Sequence, residues 1–215
     1  SSVELPETAF AAAPRRRPSG PLRLVTVGSM EHLYKAQDVL LDALATCGQD
    51  VRLTLVGDGR YRPFLEDRAR RLGVSGRVMF RGAAPAGEAV RAELDRADLF
   101  VLPSRQEGLP RAMIEAMARG LPCIGSDAGG IGELIPPDCL VRPGDAAALG
   151  SKIAELASAP GRLAHEAARN LAKAREYHES VLRSRRRAFY AETARTASAR
   201  ARLKPLPFHA DPTHG

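Results

Sequence analysis

The chain has 215 residues, 44% of them apolar and 27% charged, with a formal net charge of +7. This is the composition of a globular chain of one domain with appendages, large enough to bury a core and with no apolar run of about eighteen residues to span a membrane. Three scattered cysteines without a CxxC pair argue against a disulfide framework and a zinc site, and the lack of tryptophan removes the stacking platforms of most single-strand nucleic-acid binders.

No basic region followed by an apolar stretch opens the chain, so no signal peptide is expected, and the absent initiator Met suggests a processed or truncated start. With the cysteine usage, this leads to the expectation of a reducing, cytoplasmic setting. Pro14-Arg15-Arg16-Arg17-Pro18-Ser19-Gly20-Pro21 combines prolines with like charges and reads as a linker. Leu22 to Gly28 is then a strand, and Val39, Leu40, Ala43 and Leu44 recur at helical spacing over about Lys35 to Cys47. Val51 to Val56 is a strand ending at Gly57-Asp58-Gly59, and Arg60 to Leu72 a helix closed by Gly73. Arg77 to Phe80 is a strand ending at Gly82, followed by a helix over about Gly87 to Arg96. Asp98 to Leu102 is a strand, and Pro110 to Arg119 a helix with Pro in its first turn and Gly120 past its end. Leu121 to Gly125 is a strand, Gly130 to Ile135 a short helix and Cys139 to Val141 a last strand. Asp145 is suited to cap a helix over Ala146 to Ala157, and helical patterns continue to about Ala201.

Six short apolar strands alternating with helices predict an α/β fold. The expected architecture is a doubly wound parallel six-stranded Rossmann-like sheet with helices on both faces, plus a helical C-terminal extension. Ligands in such sheets sit at the carboxyl ends of the strands, so the strand-end loops are where chemistry is sought. The charge is segregated: residues 24–159 sum to −2 and residues 160–204 to +8. That basic helical stretch is read as a solvated or partner-facing helix, with a membrane-surface or nucleic-acid contact as the competing reading.

The first strand ends at Gly28-Ser29, with Lys35 soon after. A terminal glycine lets a bound group approach the backbone, and a lysine at the next helix start can reach a phosphate; the plainer alternative is a turn glycine and a solvated lysine. After the fourth strand, Glu107 and Glu115 stand eight residues apart around a helix start. Free N–H groups there, from Leu109, Arg111 and Ala112, make an anion site, and a carboxylate accepts two vicinal hydroxyls at once. Alternatively, Glu107 is a surface loop residue and Glu115 pairs with Arg119 at i,i+4.

Lys35 to Ala43, Leu55 to Gly59, Val78 to Gly82 and Glu107 to Ala118 together resemble family 4 of the retaining glycosyltransferases, enzymes of two-domain GT-B architecture. Glu107 and Glu115 match that family's E-x7-E signature, and Ser126-Asp127-Ala128-Gly129-Gly130-Ile131-Gly132-Glu133-Leu134 matches the segment after it. The resemblance runs from about Pro21 to Ala157 and implies the C-terminal, donor-binding domain. It divides the chain into 1–21, the end of a preceding domain and its linker; 22–178, the nucleotide-sugar-binding domain; 179–202, a basic helix packing toward a missing N-terminal acceptor-binding domain; and 203–215, a flexible tail.

By the same resemblance, Lys35 contacts the donor diphosphate, Glu115 the ribose and Glu107 the hexose near the reacting centre. Gly28, Ser29, Gly57, Gly108, Leu109, Arg111 and Ala112 complete the donor site, with Arg81 and Gly82 beside the base. Two departures stand out: Ser29 replaces the arginine of many members, and Ala36 follows Lys35 where glycine is usual. The implied chemistry is front-face displacement with retention, the leaving diphosphate stabilised by Lys35 and oriented amides, without a cofactor or metal. The implied partner is a nucleotide-diphosphate sugar. Specific nucleic-acid binding is not expected, and the resemblance allows peripheral membrane association of the full-length enzyme.

Two other readings share this architecture: a binding-only nucleotide-sugar module and a nucleotide-sugar epimerase. A dinucleotide oxidoreductase is disfavoured because Gly28-Ser29-Met30-Glu31 does not form GxGxxG, and no Walker phosphate loop occurs.

Overall fold

A computed structural model of the chain describes residues 3–16, 19–48 and 50–202, with side chains through residue 196. The expected tail at 203–215 and part of the proline-arginine linker lie outside the described residues. The strands are β1 (Leu22–Val27), β2 (Val51–Val56), β3 (Val78–Gly82), β4 (Leu99–Leu102), β5 (Cys123–Ser126) and β6 (Leu140–Val141). Between and after them lie α1 (Gln37–Thr46), α2 (Arg62–Arg71), α3 (Glu88–Asp95), α4 (Arg111–Ala118), α5 (Ala146–Ala157), α6 (Pro160–Ala174) and α7 (Glu179–Arg202). All strand pairs are parallel, in the order β3-β2-β1-β4-β5-β6. This is the doubly wound sheet expected from the alternation of strands and helices.

Period-two burial sorts the sheet residues into two cores. Leu22, Leu24, Leu53, Leu55, Leu99 and Val101 join α1, α2 and α5 on one face. Val25, Val56, Phe100 and Leu102 join α3 and α4 on the other. A fully buried Leu or Phe contributes about 1.5–3 kcal/mol relative to an exposed one, so the two layers hold the strand ends rigidly. Asp145 caps α5 as expected, its carboxylate accepting the N–H of Ala148 at 2.8 Å. Gly73 and Gly120 close α2 and α4 in left-handed conformation; at Gly120 the N–H groups of Gly120 and Leu121 reach Met117 and Ala116 carbonyls at 2.9 and 3.1 Å.

Several expected bounds shift, each for a local reason. The strand expected from Leu121 starts at Cys123, because Leu121 N–H is spent on the end of α4 and Pro122 has none to give. The short helix expected over Gly130 to Ile135 is a 3-10 turn, Gly129–Glu133. Arg77 lies before β3 rather than in it, buried and donating to the carbonyls of Leu44 in the last turn of α1 and of Cys47 and Gly48 just beyond it. The opening segment is docked onto the domain: Val3, Leu5, Ala9 and Phe10 are buried in the α4-side core, and Leu5 bonds backbone to backbone with Tyr177 and Glu179. Residues 183–196 of α7 are exposed all along, Phe189 and Tyr190 included.

The helix expected from Lys35 begins at Gln37. Leu33–Lys35 form one 3-10 turn, ended by Ala36 at φ +54°, in left-handed conformation and fully buried. That conformation costs an L-residue about 1–2 kcal/mol, a strain that glycine does not incur. Burial of the alanine methyl returns about 0.8 kcal/mol. Ala36→Gly is therefore expected to leave stability within about 0.5 kcal/mol of the parent, where the same change in an ordinary helix interior costs about 1 kcal/mol. Denaturant unfolding checks this; a loss of a full ~1 kcal/mol would show that residue 36 carries no such strain.

Cys47, Cys123 and Cys139 are free and buried, and burial pushes each thiol up, that of Cys139 to about 11. The thiolate is the reactive form, so the native chain is expected to resist a thiol reagent near neutral pH. All three thiols should titrate once denaturant is added; rapid labelling of the native chain would contradict their burial.

Candidate functional site

A doubly wound sheet opens a crevice where neighbouring strands send their connections opposite ways. Here β1 leads through α1 to β2, and β4 leads through α4 to β5 on the other side. The loops after β1 (28–36) and after β4 (103–110) therefore meet at the carboxyl edge of the sheet.

Glycines let the backbones converge. Gly57, at φ +144°, lies so close to Gly28 that a Cβ would fall 2.0 Å from the Gly28 carbonyl oxygen. A Cβ on Gly28 would in turn lie 3.1 Å from Cγ of Lys35, so the lysine stem runs over a bare backbone. Buried Gln37 donates through Nε2 to the carbonyls of Ser29 and Gly28 at 3.2 and 3.4 Å. The Ser29 hydroxyl is occupied locally, accepting the N–H of Glu31 at 3.1 Å.

Arg105 ties the two loops together. Its backbone N–H donates to the Tyr34 carbonyl at 2.7 Å, and its guanidinium grips Asp38 at 2.9 and 2.7 Å and the Leu33 carbonyl at 2.7 Å. The hydrogen bonds to Asp38 hold this guanidinium above its ordinary pKa. Within that frame Lys35 Nζ stands 2.5 Å from Glu107 Oε1, with side chains only 19% and 7% exposed. The Ser104 hydroxyl donates to the same oxygen at 2.8 Å. Tyr34, Lys35, Gln106, Glu107 and Gly108 line an open cleft of about 560 Å³.

Beside the cleft, α4 begins without a side-chain cap. The Pro110 carbonyl takes the N–H groups of Met113 and Ile114 at 3.1 and 3.2 Å, so those of Arg111 and Ala112 have no partner within the helix. Glu115, one turn on, has a side chain 10% exposed and accepts from Arg111 Nε at 2.9 Å. The i,i+4 partner of Glu115 is thus Arg111; Arg119 instead grips Asp95 at 2.7 and 2.8 Å.

Lys35, Glu107 and Gly108 thus share one cleft, Gly28 underlies it, and Leu109, Arg111, Ala112 and Glu115 continue from it into α4. Arg81 stands apart. It pairs with Glu93 at 2.8 Å and lines a separate groove of about 500 Å³ with Arg23, Arg52, Met79 and Arg96. Gly82, at φ +76°, ends β3 and accepts the N–H of Gly57 at 2.8 Å. Near it, the N–H of Gly59 and then Arg62 lower the Asp58 carboxyl.

Sequence patterns assign no role to Ser104, to the Arg105–Asp38 clamp, or to Ser126 and the Gly129-Gly130 pair, although the last two stand in the segment matched after the E-x7-E signature. Ser104, as a strand-end serine three residues before an acid, offered a local signal; the others depend on contacts between distant segments. Asp138, Cys139 and Glu166 bring possible ligand atoms within 4.8 Å of one another. Their chemistry does not suit a metal, since Asp138 pairs with Arg162, Glu166 with Arg169, and the Cys139 thiol is held protonated by burial. Among the described residues, no helix is long and apolar enough to cross a membrane.

A sequence profile described as Glycosyl transferases group 1 matches residues 21–159. The putative colanic acid biosynthesis glycosyltransferase WcaL of Escherichia coli (strain K12) is 33% identical over 159 residues, covering 68% of this chain and 39% of that protein. Anabaena Alr3699/HepE, solved in complex with UDP-glucose, superposes with a TM-score of 0.72 at 26% identity, covering 80% of this chain and 49% of that one. A C-terminal domain of a glycosyl transferase group 1 family protein (LpcC) from Francisella tularensis has a TM-score of 0.69 at 19% identity, covering 81% of this chain and 99% of that one. The chain spans about a third of the length of curated relatives it matches, 32% of one and 30% of another. The sheet order, the crevice between β1 and β4 and the profile match together place this chain in the group 1 glycosyltransferase family, with the α/β fold of a GT-B C-terminal domain.

Proposed function

We propose that this chain is the donor-binding half of a retaining, family 4 hexosyltransferase. It binds a nucleoside diphosphate sugar for transfer to an acceptor held by a separate N-terminal domain. The observation that carries the reading is the meeting of Lys35 and Glu107 across the β1/β4 crevice, beside the uncapped start of α4. Binding of UDP-glucose by HepE and the near-complete coverage of the LpcC C-terminal domain support it.

In this reading the diphosphate lies against the amides of Leu109, Arg111 and Ala112, where the helix start supplies donors and a positive dipole end. Lys35 has three N–H donors and bridges Glu107 to a phosphate oxygen without releasing either. Glu115 accepts the ribose hydroxyls and Glu107 those of the hexose, while the base lies toward Gly57 and Gly82. Arg81 reaches the base only by leaving Glu93. As the bond from the anomeric carbon to the diphosphate breaks, charge grows on the leaving group. Lys35 and the fixed amides meet it without reorganising. The acceptor hydroxyl attacks from the same face and passes its proton to the departing phosphate oxygen, giving retention.

Calorimetric titration with UDP and UDP-glucose tests these roles, after a thermal-shift panel of UDP-, GDP-, ADP- and TDP-sugars has ranked the bases. Lys35→Ala removes a charge-assisted contact and should weaken both ligands about ten- to a hundredfold. Glu115→Ala should weaken both ligands alike. Glu107→Ala should penalise UDP-glucose while leaving UDP much closer to the parent value. Identical behaviour of the two glutamate variants toward both ligands would overturn the assignment. The purified chain is expected to bind donor without transferring its sugar. Product formation by this chain alone would sink that part, and a full-length protein that binds donor but never transfers would favour the binding-only module.

A further inference from the structure

Ser104 ends β4, is fully buried, and lies three residues before Glu107. Its hydroxyl donates to Glu107 Oε1 at 2.8 Å, the oxygen that Lys35 holds at 2.5 Å. Among the described residues the second oxygen, Oε2, accepts no hydrogen bond. The Ser104 carbonyl accepts from the hydroxyl of Ser126, which ends β5 and is also fully buried. Behind the loop, Gly130 N–H donates to the Gly108 carbonyl at 3.0 Å, and a Cβ on Gly129 (φ +53°) would fall 2.0 Å from the Glu107 carbonyl oxygen. Ser126, Gly129 and Gly130 do not line the cleft.

The terminal torsion of a glutamate is broad and roughly two-fold, so one contact from a flexible lysine does not decide which oxygen faces a ligand. Two donors converging on one oxygen do. With Oε1 occupied by Lys35 and Ser104, Oε2 is left as the acceptor for a sugar hydroxyl. A buried serine with no role beyond its own satisfaction could instead donate to any nearby carbonyl.

We propose that Ser104 is a positioning residue for Glu107, fixing the carboxylate so that Oε2 receives the hexose. Ser126 and the Gly129-Gly130 pair hold Ser104 and the Glu107 backbone from behind. The β5 loop thereby governs sugar recognition without touching the sugar. This rests on the reading of Glu107 as the hexose-binding acid.

The test is calorimetric titration of the chain with UDP and with UDP-glucose, for the parent, Glu107→Gln, Ser104→Ala and Ser126→Ala, each checked for folding by thermal unfolding. The readout is the affinity ratio of the two ligands, which a general loss of stability does not move. Ser104→Ala is expected to lower the preference for UDP-glucose about three- to tenfold, with UDP affinity held within about twofold. Ser126→Ala, which leaves every atom of Ser104 in place, should lower the preference in the same direction by less. A parent chain that gains nothing from the glucose, or a Glu107→Gln variant with an unchanged ratio, overturns the reading of Glu107. A ratio that collapses in Glu107→Gln and is unchanged in both serine variants overturns the role of Ser104 alone.

Discussion

The ion pair between Lys35 and Glu107 is the constraint on which the rest of the site depends. It joins residues 72 apart in sequence, and its two ends are delivered by neighbouring strands whose connections diverge. With side chains 19% and 7% exposed, the pair has given up much of its hydration. A half-buried pair of this kind keeps its place only if other groups hold the geometry, because desolvation offsets much of the Coulomb gain. Arg105 with Asp38, Gln37 with the carbonyls of Gly28 and Ser29, and Ser104 with the carboxylate are those groups. Each spends hydrogen-bond donors on loop or carboxylate, leaving the cleft itself open.

The strand order follows from the same need. Doubly wound sheets of this order hold their crevice between β1 and β4, the strands that lead into the loops carrying the two charges. The apolar layers on both faces, with Phe100, Leu24 and Leu53 fully buried, make β1 and β4 stiff supports rather than movable arms. Loop residues are thus carried by a scaffold packed with apolar side chains on both faces.

Much of this was legible in the chain. Apolar runs ending in glycine marked the strands, because buried parallel strands are apolar on both faces and must end in turns that admit close backbone approach. Glu107, Glu115 and Lys35 were legible because chemistry-bearing residues at strand ends and helix starts stand out against an apolar background. The choice of partner was not. Glu115 sits four residues from both Arg111 and Arg119, and spacing alone cannot say that Arg119 is drawn away by Asp95. The resemblance implied that Arg81 lies beside the base, but Glu93 on α3 holds its guanidinium in another groove. Ser126 and Gly129-Gly130 stand in the segment matched after the E-x7-E signature, but what they touch was not legible, since they meet backbone atoms of a segment some twenty residues earlier.

Under the proposed function, the charge arrangement bears on how such a site attracts a diphosphate. Lys35 and Glu107 cancel, Arg105 is neutralised by Asp38, and Arg111 rests on Glu115. Ser29 stands where many family members carry an arginine, so no further cation enters from the β1 loop. The attraction for an anion must then come from the uncapped amides at the start of α4. Their partial charges act within hydrogen-bonding distance and fall off within a turn. A lysine already paired still contributes, because its remaining N–H donors are oriented by the carboxylate that holds it. Pairing Lys35 with Glu107 therefore trades net charge for direction, and direction is what a leaving group needs as its negative charge develops.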